Sequence, residues 1–280
     1  MSNIDNEKMY STINEQLYAR HWGIRAEGSS PGNRPRFYVM DFRGLALATG
    51  IVRYKYRDSE MQIFYRGQEQ DWELRPSLYR ECNNKDTLKK LNQWHERALE
   101  CIKPFFDSQG CNDDDNDNDK EREALAQHYG FPTKYLDVVD HIQTALWFAY
   151  NQGESNGGSA SRHDESVGYI QVIAVPKTAN IIDLRRKPSE WLRPHLQQGL
   201  CVSLENPDKE LGKLSKYLVL TFIINRENLR RWSNYDNIPR DYFFPSEQLD
   251  RGLIYWKKAE KQLKSENLFD CEGNINLAGF

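Results

Sequence analysis

The chain has 280 residues, and its 38 lysines and arginines against 41 aspartates and glutamates give a formal net charge of -3. A chain of this length forms one large domain or two small ones and can bury about three quarters of the surface that it exposes when unfolded. It therefore needs neither disulfides nor metals to hold its fold. The near-neutral charge and a pI of 6.1 argue against a nucleic-acid-binding surface.

The N-terminus and the cysteines predict a cytoplasmic protein without a membrane span. No apolar run approaches the roughly 18 residues that cross a bilayer, and the first residues lack the basic and apolar regions of a signal peptide. The 5 cysteines are an odd number, widely spaced and without a C-x-x-C pair, which is typical of reduced thiols.

In chain order, the first predicted elements are two strands and a helix. Residues 36–42 have a short strand pattern, and residues 60–66 alternate apolar and polar side chains before Gly67, where we predict a turn. Between 86 and 106 apolar residues recur every three or four positions, which predicts an amphipathic helix. The acidic run at 112–119 has the aspartate spacing of a calcium loop but neither its glycine nor its final glutamate, which favours a solvated loop.

The second half of the chain continues with helices and strands. We predict a helix at 120–129 closed by Gly130, and another that begins at Asp140, where Gln143 completes a capping box. The remaining patterns are a Gly- and Ser-rich loop at 152–167, strands at 168–175, 180–184 and 217–225, and a last helix at 246–264.

Strands and helices follow one another without a regular βαβ rhythm. The predicted fold class is therefore α+β, with mixed, mainly antiparallel sheets and several flanking helices. We expect residues 1–50 to form an N-terminal extension that packs on or precedes the core, and residues 51–280 to form the main domain.

Three segments combine polar and aromatic side chains with Gly or Pro, and they are the candidate functional segments. The common motifs of phosphate-binding loops, metalloproteases and serine hydrolases do not occur in the sequence. The three segments are Phe64–Gln68, Ala126–Asp137 and Leu196–Leu200.

Residues in each segment permit two interpretations. The Arg66 guanidinium, at the end of a strand, suits a phosphate or carboxylate ligand, but it equally suits an ion pair with a carboxylate such as Asp137. His128 stands in the last turn of its helix, where it serves as a base or ligand contact, or only bonds a carbonyl group. Gln197 and Gln198 either present two amides into a cleft or satisfy backbone groups in a turn.

The same region raises the question of a metal. His128, Asp137, Asp140 and His141 are metal-ligand types, but their spacing matches no standard ligand pattern. The start of a helix already explains Asp140 and His141. We therefore expect no metal.

At these segments the sequence resembles the FRG domain family, named for its Phe/Tyr-Arg-Gly start. The motifs occur in the family's order across residues 60–260, and residues 51–280 are accordingly expected to be FRG-like. They are Phe64-Tyr-Arg-Gly-Gln68, Trp72, Leu74–Tyr79, Leu125–Gly130, Pro132-Thr133, Leu136-Asp137, Ala145–Ala149, Arg193–Gly199, Ile238 and Phe244-Pro245.

Two places depart from the family pattern. Val138 and Val139 stand where the family usually has Trp-Thr, and His141-Ile142 stand where it commonly has Ser-Pro. Any ligand contact made by that threonine hydroxyl is lost with Val139.

The layout of the family resembles a distant ADP-ribosyltransferase-type domain, which implies NAD as substrate. On this resemblance the catalytic candidates are Arg66, which holds NAD, Asp137, which lies under the nicotinamide ribose, and Gln198 or Gln197, which completes the site. The residues assigned to ligand binding are Tyr65, Gly67, Gln68, His128, Tyr129, Thr133 and Gln197.

The resemblance leads to two expected functions. The first is an NAD-using ADP-ribosyltransferase or NAD glycohydrolase-like enzyme, of the toxin or defence kind, for which a protein is a candidate acceptor. The alternative is a non-catalytic module that binds a nucleotide or another phosphate ligand. A glutamine at the last site position favours this alternative, because an amide brings no negative charge to the forming cation.

In both cases the expected partner is an NAD-like or nucleotide small molecule, with no membrane and no nucleic acid. There are two further options. One is a metal-dependent hydrolase or nucleic-acid enzyme built on His128 and the cluster from Asp137 to His141, and the other is a role in protein interaction alone.

Overall fold

The computed structural model describes residues 15, 23–30, 34–80, 84–107, 118–151, 166–187, 189–203 and 214–268. The strands are β1 (Ile24–Ser30), β2 (Arg34–Val39), β3 (Met61–Gln68), β4 (Leu136–Val138), β5 (Val167–Pro176), β6 (Asn180–Asp183), β7 (Leu200–Ser203) and β8 (Leu218–Asn225). The α-helices are α1 (Phe42–Tyr56), α2 (Lys85–Asp107), α3 (Asn118–Gln127), α4 (Ile142–Asn151), α5 (Leu192–Leu196), α6 (Arg226–Trp232), α7 (Arg240–Phe243) and α8 (Arg251–Ser265).

The chain divides into two compact units, each built around one sheet. The first unit comprises residues 1–74, 139–179 and 214–238, and the second comprises residues 75–138, 180–213 and 239–280. With a mixed sheet in the first unit and an antiparallel sheet in the second, the predicted α+β class is confirmed. The division at residue 50 stays a prediction.

A five-stranded sheet in the order β1-β2-β8-β5-β3 forms the first unit. Neighbouring strands are antiparallel, except that β2 and β8 are parallel. One face of the sheet is apolar: Phe37, Tyr65, Val172 and Phe222, from four different strands, join a buried cluster with residues of α1 and α4. Because strand residues alternate between faces, the residues next to these in sequence lie on the opposite face of the sheet.

Gly67 lets α4 approach the sheet closely. A Cβ atom at this position would lie 2.7 Å from the Ala149 nitrogen and still closer to the Ala145 oxygen, both in the backbone of α4. Gly168, on the neighbouring strand β5, faces the Ala149 oxygen in the same way. The helix therefore rests on a surface of two strands that carry no side chain at the contact points.

The second unit contains the antiparallel sheet β4-β7-β6 and the helices α2, α3, α5, α7 and α8. Its core is rich in aromatic side chains, of which Trp191 is fully buried. The Trp191 and Phe106 rings stack with centroids 4.9 Å apart, and Tyr129 meets Trp191 edge to face at 5.5 Å. Such ring pairs add about 0.5–1.5 kcal/mol beyond the area that they bury.

Most elements predicted from the sequence are confirmed, with shifts of one to three residues at their ends. This holds for β2, β3, α2, α3, β5, β6 and β8, and for Gly130, whose φ of 102° closes α3. The acidic run at 112–117 and the loop at 152–165 lie outside the described residues, as do three of the five cysteines. Of the described cysteines, Cys101 and Cys201 are not joined in a disulfide.

Four local predictions were wrong. Gly67 makes no turn, because β3 continues through it to Gln68. The capping box at the start of α4 does not form, since the Gln143 side chain donates to the Trp232 carbonyl and the Gln143 N–H bonds His141 Nδ1 at 3.3 Å. The last helix begins at Arg251, after a turn over residues 246–250.

The fourth error is helix α1, which the sequence analysis missed. Asp41 caps this helix, because its Oδ1 accepts the Gly44 N–H at 2.7 Å. The buried residues of α1 follow at helical spacing, including Leu45, Ala48 and Val52.

No helix among the described residues is long and apolar enough to cross a bilayer. The cytoplasmic location stays a prediction.

A pair of glycine substitutions tests the packing of α4 on the sheet. We expect Gly67→Ala to destabilise the protein by at least about 3 kcal/mol, because the added methyl group meets backbone atoms that cannot move aside. Gly50→Ala is the matched control, since nothing lies within 4 Å of its Cβ position in α1, and we expect it to stabilise by about 1 kcal/mol. Urea unfolding measures both, and equal effects would contradict this account of Gly67.

Candidate functional site

Four polar residues form a row across the second face of the five-stranded sheet. Register pairs Arg36 with Thr221, Thr221 with Gln171, and Gln171 with Arg66. Directly paired residues share a face of the sheet, so these four residues stand side by side on adjacent strands. At about 4.8 Å between strands the row spans about 14 Å. We call these four residues the polar row.

The two central members of the polar row are buried and incompletely hydrogen-bonded. Gln171 is 1% exposed and Thr221 is 0% exposed. The Gln171 Nε2 donates to the Trp72 carbonyl at 2.8 Å, but within the described residues neither Gln171 Oε1 nor Thr221 Oγ1 has a hydrogen-bond partner. A buried polar atom left unsatisfied costs about 1–3 kcal/mol, so two adjacent ones need a reason to exist.

Arginines stand at both ends of the polar row and are partly exposed. The Arg36 Nη2 lies 3.4 Å from Asp71 Oδ2, and its guanidinium lies 5.9 Å from the centre of the Tyr169 ring. Burial raises the pKa of the Asp71 carboxyl, and the charge of Arg36 opposes that rise. Arg66 lies within β3, opposite Gln171, and not at a strand end as the sequence suggested.

The residues that flank Arg66 support the fold. The Tyr65 ring is 1% exposed, its hydroxyl accepts from Arg53 Nε at 3.0 Å, and burial raises its pKa. Gly67 faces α4, as described above. Gln68 is buried and donates to the Trp72 carbonyl at 3.0 Å, beside Gln171.

In the second unit, four side chains form a polar cluster around one imidazole ring. His128 Nδ1 lies 2.9 Å from Gln197 Oε1, and on its other side His128 Nε2 lies 3.7 Å from Asp137 Oδ1 and 3.9 Å from Cys201 Sγ. The Cys201 Sγ is 3.4 Å from Asp137 Oδ1. We call His128, Asp137, Gln197 and Cys201 the imidazole cluster.

Only the Asp137 side chain of the imidazole cluster has substantial exposure. Its side chain is 40% exposed, whereas that of His128 is 4% exposed and Cys201 is fully buried. Both ends of the Gln197 amide are occupied, because its Nε2 donates to the Phe243 carbonyl at 2.9 Å. Gln197 therefore orients His128, and Asp137 is the group that a ligand from solvent reaches first.

The other sequence-predicted residues of this unit have their own partners. The Tyr129 hydroxyl donates to the fully buried Asp250 at 2.9 Å, and Arg193 Nε lies 3.7 Å from the same carboxylate. Burial raises the pKa of Tyr129 and of Asp250 and lowers that of Arg193. Thr133 is buried and donates to Gln127.

Gln198 is exposed and has a φ of 53°, a conformation in which residues other than glycine are uncommon. Its amide donates to the His195 carbonyl at 3.0 Å. The amide therefore takes part in the turn that precedes β7.

Sequence reasoning missed four of the residues described above. Gln171 and Thr221 are single polar residues inside long apolar strand patterns, and that interruption is the signal that could have found them. Only the parallel pairing of β2 with β8 reveals that Arg36 lies beside Thr221. Cys201 carries no motif, and only its position opposite Asp137 in the β4–β7 pairing reveals it.

A separate cleft of about 810 Å³ in the second unit is lined by residues of α2, α3 and α8 together with Glu266 and Leu268, and it contains none of the predicted site residues. Its lining includes Cys101 and both acidic and basic side chains.

The comparisons with known proteins identify one family. Residues 61–157 match the family model of the FRG domain, so an FRG domain is present over this stretch. The match includes Arg66, His128 and Asp137. No curated protein and no solved structure matches the chain. The relationship to ADP-ribosyltransferases stays a prediction.

Two buried threonines test whether the polar row is unsatisfied in the free protein. We expect Thr221→Val to leave the unfolding free energy unchanged or raise it by about 1 kcal/mol, because it removes an unpartnered hydroxyl. Thr133→Val is the matched control: its hydroxyl is equally buried but bonded to Gln127 and to the Tyr135 N–H at 3.1 Å. We expect this control to lower the free energy of unfolding by about 1–3 kcal/mol. Urea unfolding gives both values, and a similar loss in the two variants would show that Thr221 is satisfied.

Proposed function

We propose that this FRG-domain protein binds a phosphate-bearing nucleotide of the NAD class at the polar row. The observation that carries the proposal is the pair of unsatisfied buried atoms, Gln171 Oε1 and Thr221 Oγ1, between two arginines on one face of the sheet. Without a polar ligand this arrangement costs stability. It suits a ligand that supplies the missing hydrogen-bond partners.

The atoms of the polar row specify the chemistry of the ligand. A guanidinium only donates and prefers phosphate or carboxylate oxygens, and the Thr221 hydroxyl donates or accepts. The Gln171 Oε1 only accepts, so the ligand must also bring a hydroxyl or amine donor. A ribose joined to phosphate carries both kinds of group, whereas a fully ionised inorganic anion lacks the donor.

Breakdown of NAD at the imidazole cluster is a second candidate function, and the exposure of Asp137 favours it. ADP-ribosyl transfer and NAD hydrolysis pass through an oxocarbenium-like state that a carboxylate stabilises. The sequence offered glutamines at the last position of such a site, but the 40% exposed carboxylate of Asp137 belongs to the same cluster as Gln197.

Breakdown of NAD replaces nicotinamide on the ribose by a nucleophile. The bond between the ribose C1 and the nicotinamide nitrogen breaks, and its electron pair leaves with nicotinamide, which becomes neutral. Water or a hydroxyl, amine or guanidine nucleophile of an acceptor adds to C1 and gives up a proton. Asp137 would stabilise the positive charge that develops before the nucleophile adds.

Calorimetric titration with ADP-ribose tests the binding proposal. We expect Arg66→Ala to weaken binding about 10- to 100-fold, since a charge-assisted hydrogen bond to phosphate contributes about 1.5–3 kcal/mol. Arg57→Ala is the control, because Arg57 is an exposed arginine at the end of α1 paired with Asp58. We also expect Gln171→Met to weaken the binding of ADP-ribose far more than the binding of inorganic pyrophosphate. Equal affinity in wild type and Arg66→Ala, or no binding by folded wild type, would overturn the proposal.

Release of nicotinamide from NAD tests the second candidate. We expect Asp137→Asn to lower the rate at least 100-fold while leaving ADP-ribose affinity nearly unchanged, because the amide keeps the shape but loses the charge. Asp236→Asn is the control, since Asp236 is an exposed partner of Arg230. Undiminished release by Asp137→Asn would exclude this carboxylate from the reaction.

A further inference from the structure

Three potential metal ligands of different chemistry converge inside the second unit. Asp137 on β4 and Cys201 on β7 are direct register partners, so their side chains lie on one face of that sheet. His128 follows α3 and brings its Nε2 to the same place. His128 Nε2, Asp137 and Cys201 Sγ together offer one ligand atom each, all within 4.8 Å of one another.

The separations between these atoms fit the edges of a tetrahedron around one ion. Bonds of about 2.0–2.3 Å at tetrahedral angles place two ligand atoms about 3.3–3.6 Å apart. The three observed separations are 3.4 Å, 3.7 Å and 3.9 Å. Movements of a few tenths of an ångström therefore bring all three atoms into coordination.

The imidazole ring is already held in the tautomer that a metal requires. Gln197 Oε1 can only accept, so His128 Nδ1 carries the proton of their 2.9 Å hydrogen bond and Nε2 presents its lone pair. Gly199 leaves room for the ring, because a Cβ there would lie 2.7 Å from Nε2. Metal-binding histidines commonly have such a partner on the second nitrogen.

We propose that His128, Asp137 and Cys201 bind a divalent ion of the zinc type. A thiolate with an imidazole and a carboxylate selects zinc over magnesium or calcium, which prefer oxygen ligands alone. Three protein ligands leave the fourth position for water or substrate, as in catalytic zinc sites. The 40% exposed side chain of Asp137 marks the side on which that position opens.

This site makes a different use of Asp137 from the NAD chemistry considered above, and it does not depend on the polar row. An ion would engage the carboxylate that the second candidate function needs for a cation. If both operate, added zinc lowers nicotinamide release and a chelator restores it. Failure of ADP-ribose binding leaves the metal proposal unaffected.

Zinc and cobalt binding to the purified full-length chain test the proposal. We expect one equivalent of zinc per chain in equilibrium dialysis against zinc chloride. Cobalt chloride should give the near-ultraviolet charge-transfer band of a thiolate ligand. Cys201→Ala should abolish the band, and Cys101→Ala, the control at the other described cysteine, should keep it.

Two more variants keep the test decisive if Cys201→Ala folds poorly. Asp137→Asn changes a partly exposed side chain, and we expect at least a 10-fold loss of zinc affinity with an unchanged circular dichroism spectrum. Gln197→Leu should weaken zinc binding about 10- to 100-fold through the orientation of His128. No stoichiometric zinc, or a cobalt spectrum that persists in Cys201→Ala, would overturn the proposal.

Discussion

The close packing of α4 on the five-stranded sheet is the constraint on which the first unit depends. It requires Gly67 on β3, because any side chain there would meet the backbone of Ala145 and Ala149. Strand alternation then sends Tyr65 to the same face as Gly67 and Arg66 to the opposite face. The Tyr-Arg-Gly motif therefore joins two requirements, a flat surface for a helix and an arginine on the other side of the sheet.

The second face of the sheet carries a feature that costs stability. A strand buried on both faces normally carries apolar residues throughout, yet Gln171 and Thr221 interrupt β5 and β8 at paired positions. Proteins retain such costly features where function needs them, and the two arginines in the same row fit the phosphate-bearing ligand that we propose.

The sequence predicted the regular elements well and the site only in part. Alternation in β3 and helical spacing in α2 are local signals, and both elements lie where they were predicted. Local signals predicted a turn at Gly67. In the structure Gly67 instead contacts a helix almost eighty residues later in the chain. Arg66, His128 and Asp137 were recognised because they stand in dense polar segments.

Arg36, Gln171, Thr221 and Cys201 were not recognised, because each depends on strand pairing. For the same reason the sequence predicted no metal. The candidate ligands in the sequence are His128, Asp137, Asp140 and His141. They are close in sequence, but their spacing matches no standard ligand pattern. The structure instead brings Cys201 opposite Asp137 through the pairing of β7 with β4.

The most direct test of the central claim is a crystal structure of the protein with ADP-ribose. We expect phosphate oxygens within hydrogen-bond distance of the Arg66 guanidinium and a ribose hydroxyl that donates to Gln171 Oε1. Ligand density elsewhere on the molecule would contradict it, as would protein or water partners already bound to Gln171 Oε1 and Thr221 Oγ1 in the free protein.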